Sequence, residues 1–178
     1  MSPPTTPPAN WSIKAVPAAF ALSLIPHSYY LFGLMAATKN QMSIAMCASP
    51  SQVKMEPRLT TIRRPRTNLD TWKSKLPAAT WNHLARARGA HLNSMEVFPL
   101  FAASIIAGNV ANLPARDLNN AALSFLAART LYMGVYMSVK SDTLAYVRTG
   151  VYTWSISIPI MLLWKAGNAL AASDGKGL

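Results

Sequence analysis

The chain has 178 residues, enough for one domain, and 51% of them are hydrophobic while only 13% are charged. Soluble proteins carry roughly 25% charged residues. Seventeen Lys and Arg against six Asp and Glu give a net charge of +11, which fits a nucleic-acid binder or a membrane protein with basic loops. Because the charges lie between long apolar runs, the pattern favours the membrane protein and argues against nucleic acid as a partner.

Four apolar stretches predict four transmembrane helices, since about 20 apolar residues span a bilayer. The predicted fold is an all-α, integral membrane four-helix bundle at residues 13–172, with a polar tail at residues 1–12 and a C-terminal tail at residues 173–178. The predicted helices run from about Ile13 to Thr38, Ala79 to Asn112, Leu118 to Val139 and Thr143 to Ala172.

The connection between the first two predicted helices is long and basic, covering residues 40–80. Ten of the seventeen Lys and Arg lie between the first and second apolar runs. The positive-inside rule places this loop in the cytoplasm and both termini on the opposite side of a multi-pass membrane protein. Cys47 is a single cysteine, so no intrachain disulfide and no metal cluster is predicted.

The second helix carries polar residues inside its apolar run, Asn93 and Glu96. At 100° per residue, Arg86, Asn93 and Glu96 fall within about 80° of one another, while Arg88 and His91 lie on a different face. The helix therefore presents two polar stripes, each able to meet a different neighbour.

The third helix repeats the pattern, because Arg129, Tyr132 and Tyr136 fall within about 60°. Arg129 and Glu96 are both predicted near mid-membrane, where an unpaired charge costs at least about 2.5–3.5 kcal/mol. We expect the two to pair directly or through a short network. Such a pair serves either to hold two helices together or to build a functional site, and the sequence leaves both open.

Two segments resemble the MAPEG family, the membrane-associated proteins in eicosanoid and glutathione metabolism. "RARGAHLNSMEVFPLF" is similar to that family's second helix, and "AARTLYMGVY" to its third. The resemblance covers about Leu84 to Leu170 and the four-helix layout. The residues that carry it are Arg86, Ala90, His91, Asn93, Glu96, Pro99, Arg129, Tyr132 and Tyr136.

The resemblance implies a homotrimer that binds glutathione, as cosubstrate, between adjacent protomers. Arg86 would pair a glutathione carboxylate, Asn93 would hydrogen-bond the peptide, and Glu96 would meet the amine or orient an arginine. The other implied binding residues are His91, Arg129 and Tyr132. The implied catalytic residues are Tyr136, which lines the pocket, and Arg148, which would stabilise the thiolate.

The implied activity is that of a membrane-bound glutathione transferase acting on a lipophilic electrophile, or reducing a peroxide, with the bilayer as the source of substrate. Gly89, Val97 and the late position of Arg148 depart from the eicosanoid-synthase branch and argue against leukotriene synthesis. Two alternatives stay open. One is a non-enzymatic membrane scaffold or accessory protein. The other is a glutathione-independent isomerase of a lipophilic metabolite, with Glu96 or His91 as base.

Overall fold

A computed structural model of the chain describes residues 8–38, 68–138 and 142–174. Cys47 and most of the predicted loop at residues 40–80 lie outside the described residues. The described part contains four long helices and no β-strand, which confirms the predicted all-α fold. These helices are α1 (Ala15–Ala37), α2 (Ala78–Val110), α3 (Ala115–Ser138) and α4 (Asp142–Asp174), each within three residues of its predicted bounds. Shorter elements are a 3₁₀ turn at Ser12–Lys14 and a single helical turn at Asn68–Thr71.

Three of the helices are long and apolar enough to cross a membrane, so the chain has the character of an integral membrane protein. The spans are Ser12–Ala37, Ala78–Val110 and Tyr146–Ser173. The predicted fourth span, α3, is less apolar than these three within the described residues. The 24 residues of α3 are long enough, but they include Arg116, Asp117, Asn119, Asn120 and Arg129. By composition, α3 is the most polar of the four long helices.

Prolines interrupt three of the four helices without ending them. Pro26, Pro99 and Pro159 lie inside α1, α2 and α4 respectively. A proline removes one backbone hydrogen bond, and membrane helices tolerate this where neighbouring groups satisfy the freed carbonyl. The sequence also places Pro17 in the first turn of α1, where the missing N–H has no helical partner to lose.

The chain divides into two compact units. The four-helix unit comprises Met1–Leu24 and Leu92–Leu178, and the two-helix unit comprises Ile25–His91. All four helices contribute to the core of the four-helix unit. Its centre is a parallel stack of Phe101 on Phe125, with ring centroids 3.9 Å apart. The other buried core residues are Ala15, Ala19, Val97, Ile105, Leu118, Ala122 and Leu162.

A tight turn joins α2 to α3 within the four-helix unit. Asn112 adopts a left-handed backbone conformation with φ 52°. The N–H of Leu113 donates to the carbonyl of Gly108 at 3.0 Å. The N–H of Asn112 donates to the carbonyl of Asn109 at 3.1 Å. This is the Schellman arrangement, in which asparagine is a tolerated substitute for glycine. Pro114 then prevents any continuation of α2 and precedes the first residue of α3.

The segment before α1 is hydrogen-bonded to the same end of the four-helix unit. The backbone N–H of Trp11 donates to the Asn119 side chain at 3.0 Å, and the Asn119 amide donates to the Ala9 carbonyl at 2.9 Å. Asn10 donates to Asn109 at 2.8 Å. These bonds place the start of α1 beside the α2–α3 turn.

The two-helix unit packs the second half of α1 against the first part of α2. Leu34 and Ala87 are fully buried, as are Leu84 and Leu69 to within a few per cent. The helices approach closely at Gly33, where an added Cβ would lie 2.7 Å from Cδ2 of Leu84. The indole N–H of Trp81 donates to the Leu69 carbonyl at 3.1 Å, which fixes the single turn Asn68–Thr71 to the start of α2.

Candidate functional site

A buried arginine on α3 joins three helices of the four-helix unit. The Arg129 side chain is only 3% exposed. Its Nη2 donates to the Asn93 carbonyl at 2.8 Å and to the Ser94 hydroxyl at 3.2 Å, both on α2. Its Nη1 donates to the Ser155 hydroxyl on α4 at 3.3 Å. Buried cations need such partners, because desolvation is otherwise uncompensated.

Aromatic rings complete the surroundings of this guanidinium. Its central carbon lies 4.5 Å from the centre of the Tyr132 ring and 5.9 Å from that of Tyr152. Ring faces attract cations, and the attraction strengthens where water is excluded. Arg129 is therefore held by three hydrogen bonds and two rings inside a single chain.

Of the two arrangements expected for Glu96 and Arg129, the direct ion pair is absent among the described residues. Glu96 is exposed, and within the part of the chain that the structure describes its carboxylate has no ion pair. The reason lies in helix geometry. Ser94 and Glu96 are about 200° apart around α2, so a helix that turns Ser94 toward Arg129 turns Glu96 outward.

A polar cleft of about 250 Å³ lies beside this centre, between α2, α3 and α4. It is somewhat smaller than the roughly 300–1,000 Å³ of sites that enclose drug-sized ligands. On one wall the Asn93 amide donates to the Tyr132 hydroxyl at 2.7 Å. The lining residues are Asn93, Tyr132, Tyr136, Arg148, Thr149 and Tyr152.

Among the described lining residues, Arg148 on α4 carries the positive charge of the cleft. Its side chain is only partly buried. Its central guanidinium carbon lies 5.1 Å from the centre of the Tyr136 ring on α3. Tyr136 in turn packs against Tyr132, with ring centroids 5.5 Å apart. The described lining residues offer guanidinium, amide and hydroxyl donors and no carboxylate. Such a set suits an anionic ligand or a developing anion.

The structure thus brings four of the predicted site residues into one cleft and sets the others elsewhere. Asn93, Tyr132, Tyr136 and Arg148 line the cleft, and Arg129 supports it from within the bundle without being among the lining residues. Glu96 is exposed on another face of α2.

The remaining two predicted residues belong to the two-helix unit. Nη2 of Arg86 lies 3.4 Å from Nδ1 of His83, and the His83 Nε2 lies 2.7 Å from the Tyr29 hydroxyl. The His91 ring packs against the ring of His27, with centroids 4.5 Å apart.

Sequence reasoning missed three contributors on α4, namely Thr149, Tyr152 and Ser155. A helical-wheel signal was available, because Arg148, Tyr152 and Ser155 fall within about 60° of one another. Residues three and four apart on a helix share a face, so the face that carries Arg148 had to carry Tyr152 as well.

Comparison with known proteins identifies one family. The model of the MAPEG family matches residues 16–168, nearly the whole chain. The match reaches into all four long helices and includes every lining residue of the cleft. No curated protein and no solved structure was found to match the chain.

Proposed function

We propose that this chain, which belongs to the MAPEG family, is a glutathione transferase-like enzyme of the membrane. The observation that carries the proposal is the placement of Arg148 over Tyr136 in a polar cleft between apolar helices. The family is associated with glutathione, and the donors of the cleft suit a ligand with two carboxylates and a thiol. The second substrate would be a lipophilic electrophile that arrives from the bilayer.

Arg148 would act on the thiol of glutathione. A nearby guanidinium favours the thiolate, which is the nucleophilic form at neutral pH. The thiol proton would pass to water, and the sulfur would attack the electrophilic carbon to form an S–C bond. The leaving group would depart with its bonding electrons. Tyr136 would hold Arg148 through its ring and line the site of attack.

The opposite wall would bind the peptide part of glutathione. The Asn93 amide uses one N–H on the Tyr132 hydroxyl, which leaves its second N–H and its carbonyl oxygen to meet a peptide group. Arg129 holds the Asn93 backbone carbonyl at 2.8 Å. Arg129 would therefore be a positioning residue and not a ligand contact.

The proposed assembly is a homotrimer with glutathione between adjacent protomers. Glu96 supports this part of the proposal, because its charge is exposed in the middle of an apolar helix. Facing lipid, such a charge costs at least about 2.5–3.5 kcal/mol. A neighbouring protomer or the amine of glutathione would remove that cost. Arg86 and His91 would serve the glutathione site in the same assembly.

The proposed location is the endoplasmic reticulum, with the basic connection between α1 and α2 in the cytoplasm. Ten of the seventeen Lys and Arg lie between the first two apolar runs, which supports this orientation. The cytosol would then supply glutathione and the bilayer would supply the second substrate.

Activity of the detergent-solubilised protein tests the proposal. Conjugation of glutathione to an aryl halide and glutathione-dependent reduction of a lipid hydroperoxide are measured for the wild type, Arg148→Ala and Lys165→Gln. Lys165 forms an exposed ion pair with Asp117 at 3.8 Å, outside the cleft, and serves as the control. We expect activity in the wild type and control that is lost in Arg148→Ala. Absence of both activities from folded wild-type protein would refute the enzymatic proposal.

One observation favours a scaffold as the second candidate. Arg129 is satisfied entirely within the chain, as a purely structural group would be. A scaffold predicts that Arg148→Ala leaves every phenotype intact while substitution of Arg129 destabilises the protein. The isomerase alternative predicts activity that survives complete removal of glutathione.

A further inference from the structure

The turn that leads into α2 and the first turn of α2 itself each carry one tryptophan, and each tryptophan is paired with a lysine. Nζ of Lys73 lies 4.9 Å from the centre of the Trp81 ring, and Nζ of Lys75 lies 5.1 Å from that of Trp72. All four residues belong to the two-helix unit, and both lysines are exposed. We call these four residues the Trp–Lys turn.

The Trp–Lys turn is well fixed to the helix that follows it. The N–H groups of Lys75 and Leu76 both donate to the Trp72 carbonyl at 3.0 Å. Trp81 donates to the carbonyl of Leu69, a residue that is 1% exposed. The lysines are therefore displayed on a packed surface, which lowers the entropy that a ligand must remove on binding.

The position of the turn along α2 places it at the membrane surface. The 33 residues of α2 extend over about 50 Å, whereas the hydrocarbon layer is about 30 Å thick. The bilayer including both headgroup layers is about 40–45 Å thick, so a helix of this length reaches the headgroup layer at each end, and the Ala78 end lies at that level. Tryptophan is enriched at this headgroup level, where its ring is apolar and its N–H polar.

The sequence around the Trp–Lys turn is predominantly basic. Residues 54–88 contain nine Lys or Arg and two acidic residues, and one of the acids, Asp70, lies 3.7 Å from Arg88. Lysine and arginine beside a membrane are attracted by anionic lipid headgroups, and this attraction falls away within a Debye length. A soluble anion would gain nothing from the adjacent tryptophans, whereas a lipid can meet the ammonium and the indole together.

We propose that the Trp–Lys turn binds the headgroups of anionic phospholipids in the leaflet that surrounds the start of α2. The lysine ammonium groups contact the phosphate or carboxylate of the headgroup, and the indole rings lie against its glycerol and upper acyl region. This role is separate from the proposed glutathione chemistry, since none of these residues lines the cleft of the four-helix unit.

The test uses the full-length protein in lipid nanodiscs made of phosphatidylcholine alone or mixed with phosphatidylserine. The unfolding temperature is measured at low and high salt for the wild type and for the Lys73→Gln/Lys75→Gln double variant. The conservative control is Lys73→Arg/Lys75→Arg, and Lys165→Gln is the control for loss of a lysine elsewhere. Each variant is compared with itself in the two lipids, so that a change in intrinsic stability cancels.

We expect phosphatidylserine to raise the unfolding temperature of the wild type by a few degrees at low salt, and high salt to abolish most of the rise. The double Gln variant should lose more than half of the rise, while the Arg variant and Lys165→Gln keep it. A full rise in the double Gln variant would overturn the proposal. So would an equal rise from inorganic phosphate added to phosphatidylcholine discs, which would indicate a site for free anions. If the double variant does not fold, the two single Gln variants are compared in the same way.

Discussion

Asn93 on α2 donates a 2.7 Å hydrogen bond to the hydroxyl of Tyr132 on α3, and this bond forms one wall of the polar cleft. The two residues are 39 positions apart in the sequence. The bond belongs to a continuous arrangement, because the Asn93 carbonyl accepts from Arg129 and the Tyr132 ring lies over the same guanidinium. One asparagine thereby joins the interior of the bundle to the cleft.

The Asn93–Tyr132 bond predicts energetic coupling between the two side chains. Asn93→Ala and Tyr132→Phe should each destabilise the protein, and the double variant should be less destabilised than the sum of the two. The expected coupling is about 0.6–1.7 kcal/mol, the range found for hydrogen bonds between membrane helices. Unfolding of the three variants in detergent measures it, and strictly additive effects would show that the bond does not form.

Substitution of Arg129 should lower stability more than substitution of any charge at the surface. Arg129→Met keeps most of the side-chain volume but leaves Ser94, Ser155 and the Asn93 carbonyl without their donor. We expect a loss of about 2 kcal/mol or more in the free energy of unfolding. Lys165→Gln, which removes an exposed ion pair, should cost at most about 1 kcal/mol. Equal effects of the two substitutions would contradict the structural role of Arg129.

Substitutions of Arg148 and Tyr136 should lower the rate of conjugation far more than they lower the stability of the protein. Arg148→Ala should lower conjugation about 10²–10³-fold, as loss of a group that stabilises a reacting anion commonly does, with little change in stability. Tyr136→Phe keeps the ring beneath Arg148 and should retain more activity than Tyr136→Leu, which removes it. Turnover and unfolding are measured on the same preparations. Full activity in Tyr136→Leu would show that the ring does not position Arg148.

The close approach at Gly33 should make this glycine sensitive to a single methyl group. In Gly33→Ala the new Cβ would lie 2.7 Å from the buried Leu84 side chain, which must move. We expect destabilisation of about 1 kcal/mol, since overpacking outweighs the gain in helix propensity. At Gly134 no described atom lies within 4 Å of an added Cβ, so Gly134→Ala is the matched control and should not destabilise. The prediction fails if both alanines have the same effect on unfolding.

The four long helices could be predicted because each coincides with an apolar run in the local sequence. Apolar runs are signals of short range, and they predicted bounds accurate to three residues. The lower apolarity of α3 was also readable from Arg129 and from the polar residues at the start of that helix.

The partners of the polar residues were harder to predict, because a helical wheel gives a face but not its neighbour. Matching depth and opposite charge suggested Glu96 as the partner of Arg129. The structure instead satisfies Arg129 with two serine hydroxyls, a carbonyl and two rings. The wheel groups Tyr152 and Ser155 with Arg148 on one face of α4, but it does not say that this face packs against α3.

The central claim, that the cleft beside Arg129 binds glutathione, is tested most directly by ligand-dependent stability. Unfolding of the detergent-solubilised wild type, Arg148→Ala and Lys165→Gln is followed with and without millimolar glutathione. A ligand at about 100 times its dissociation constant adds about 2.7 kcal/mol to the free energy of unfolding. We predict this stabilisation for the wild type and Lys165→Gln and its loss in Arg148→Ala. No stabilisation of the wild type, or an equal stabilisation of Arg148→Ala, would contradict the claim.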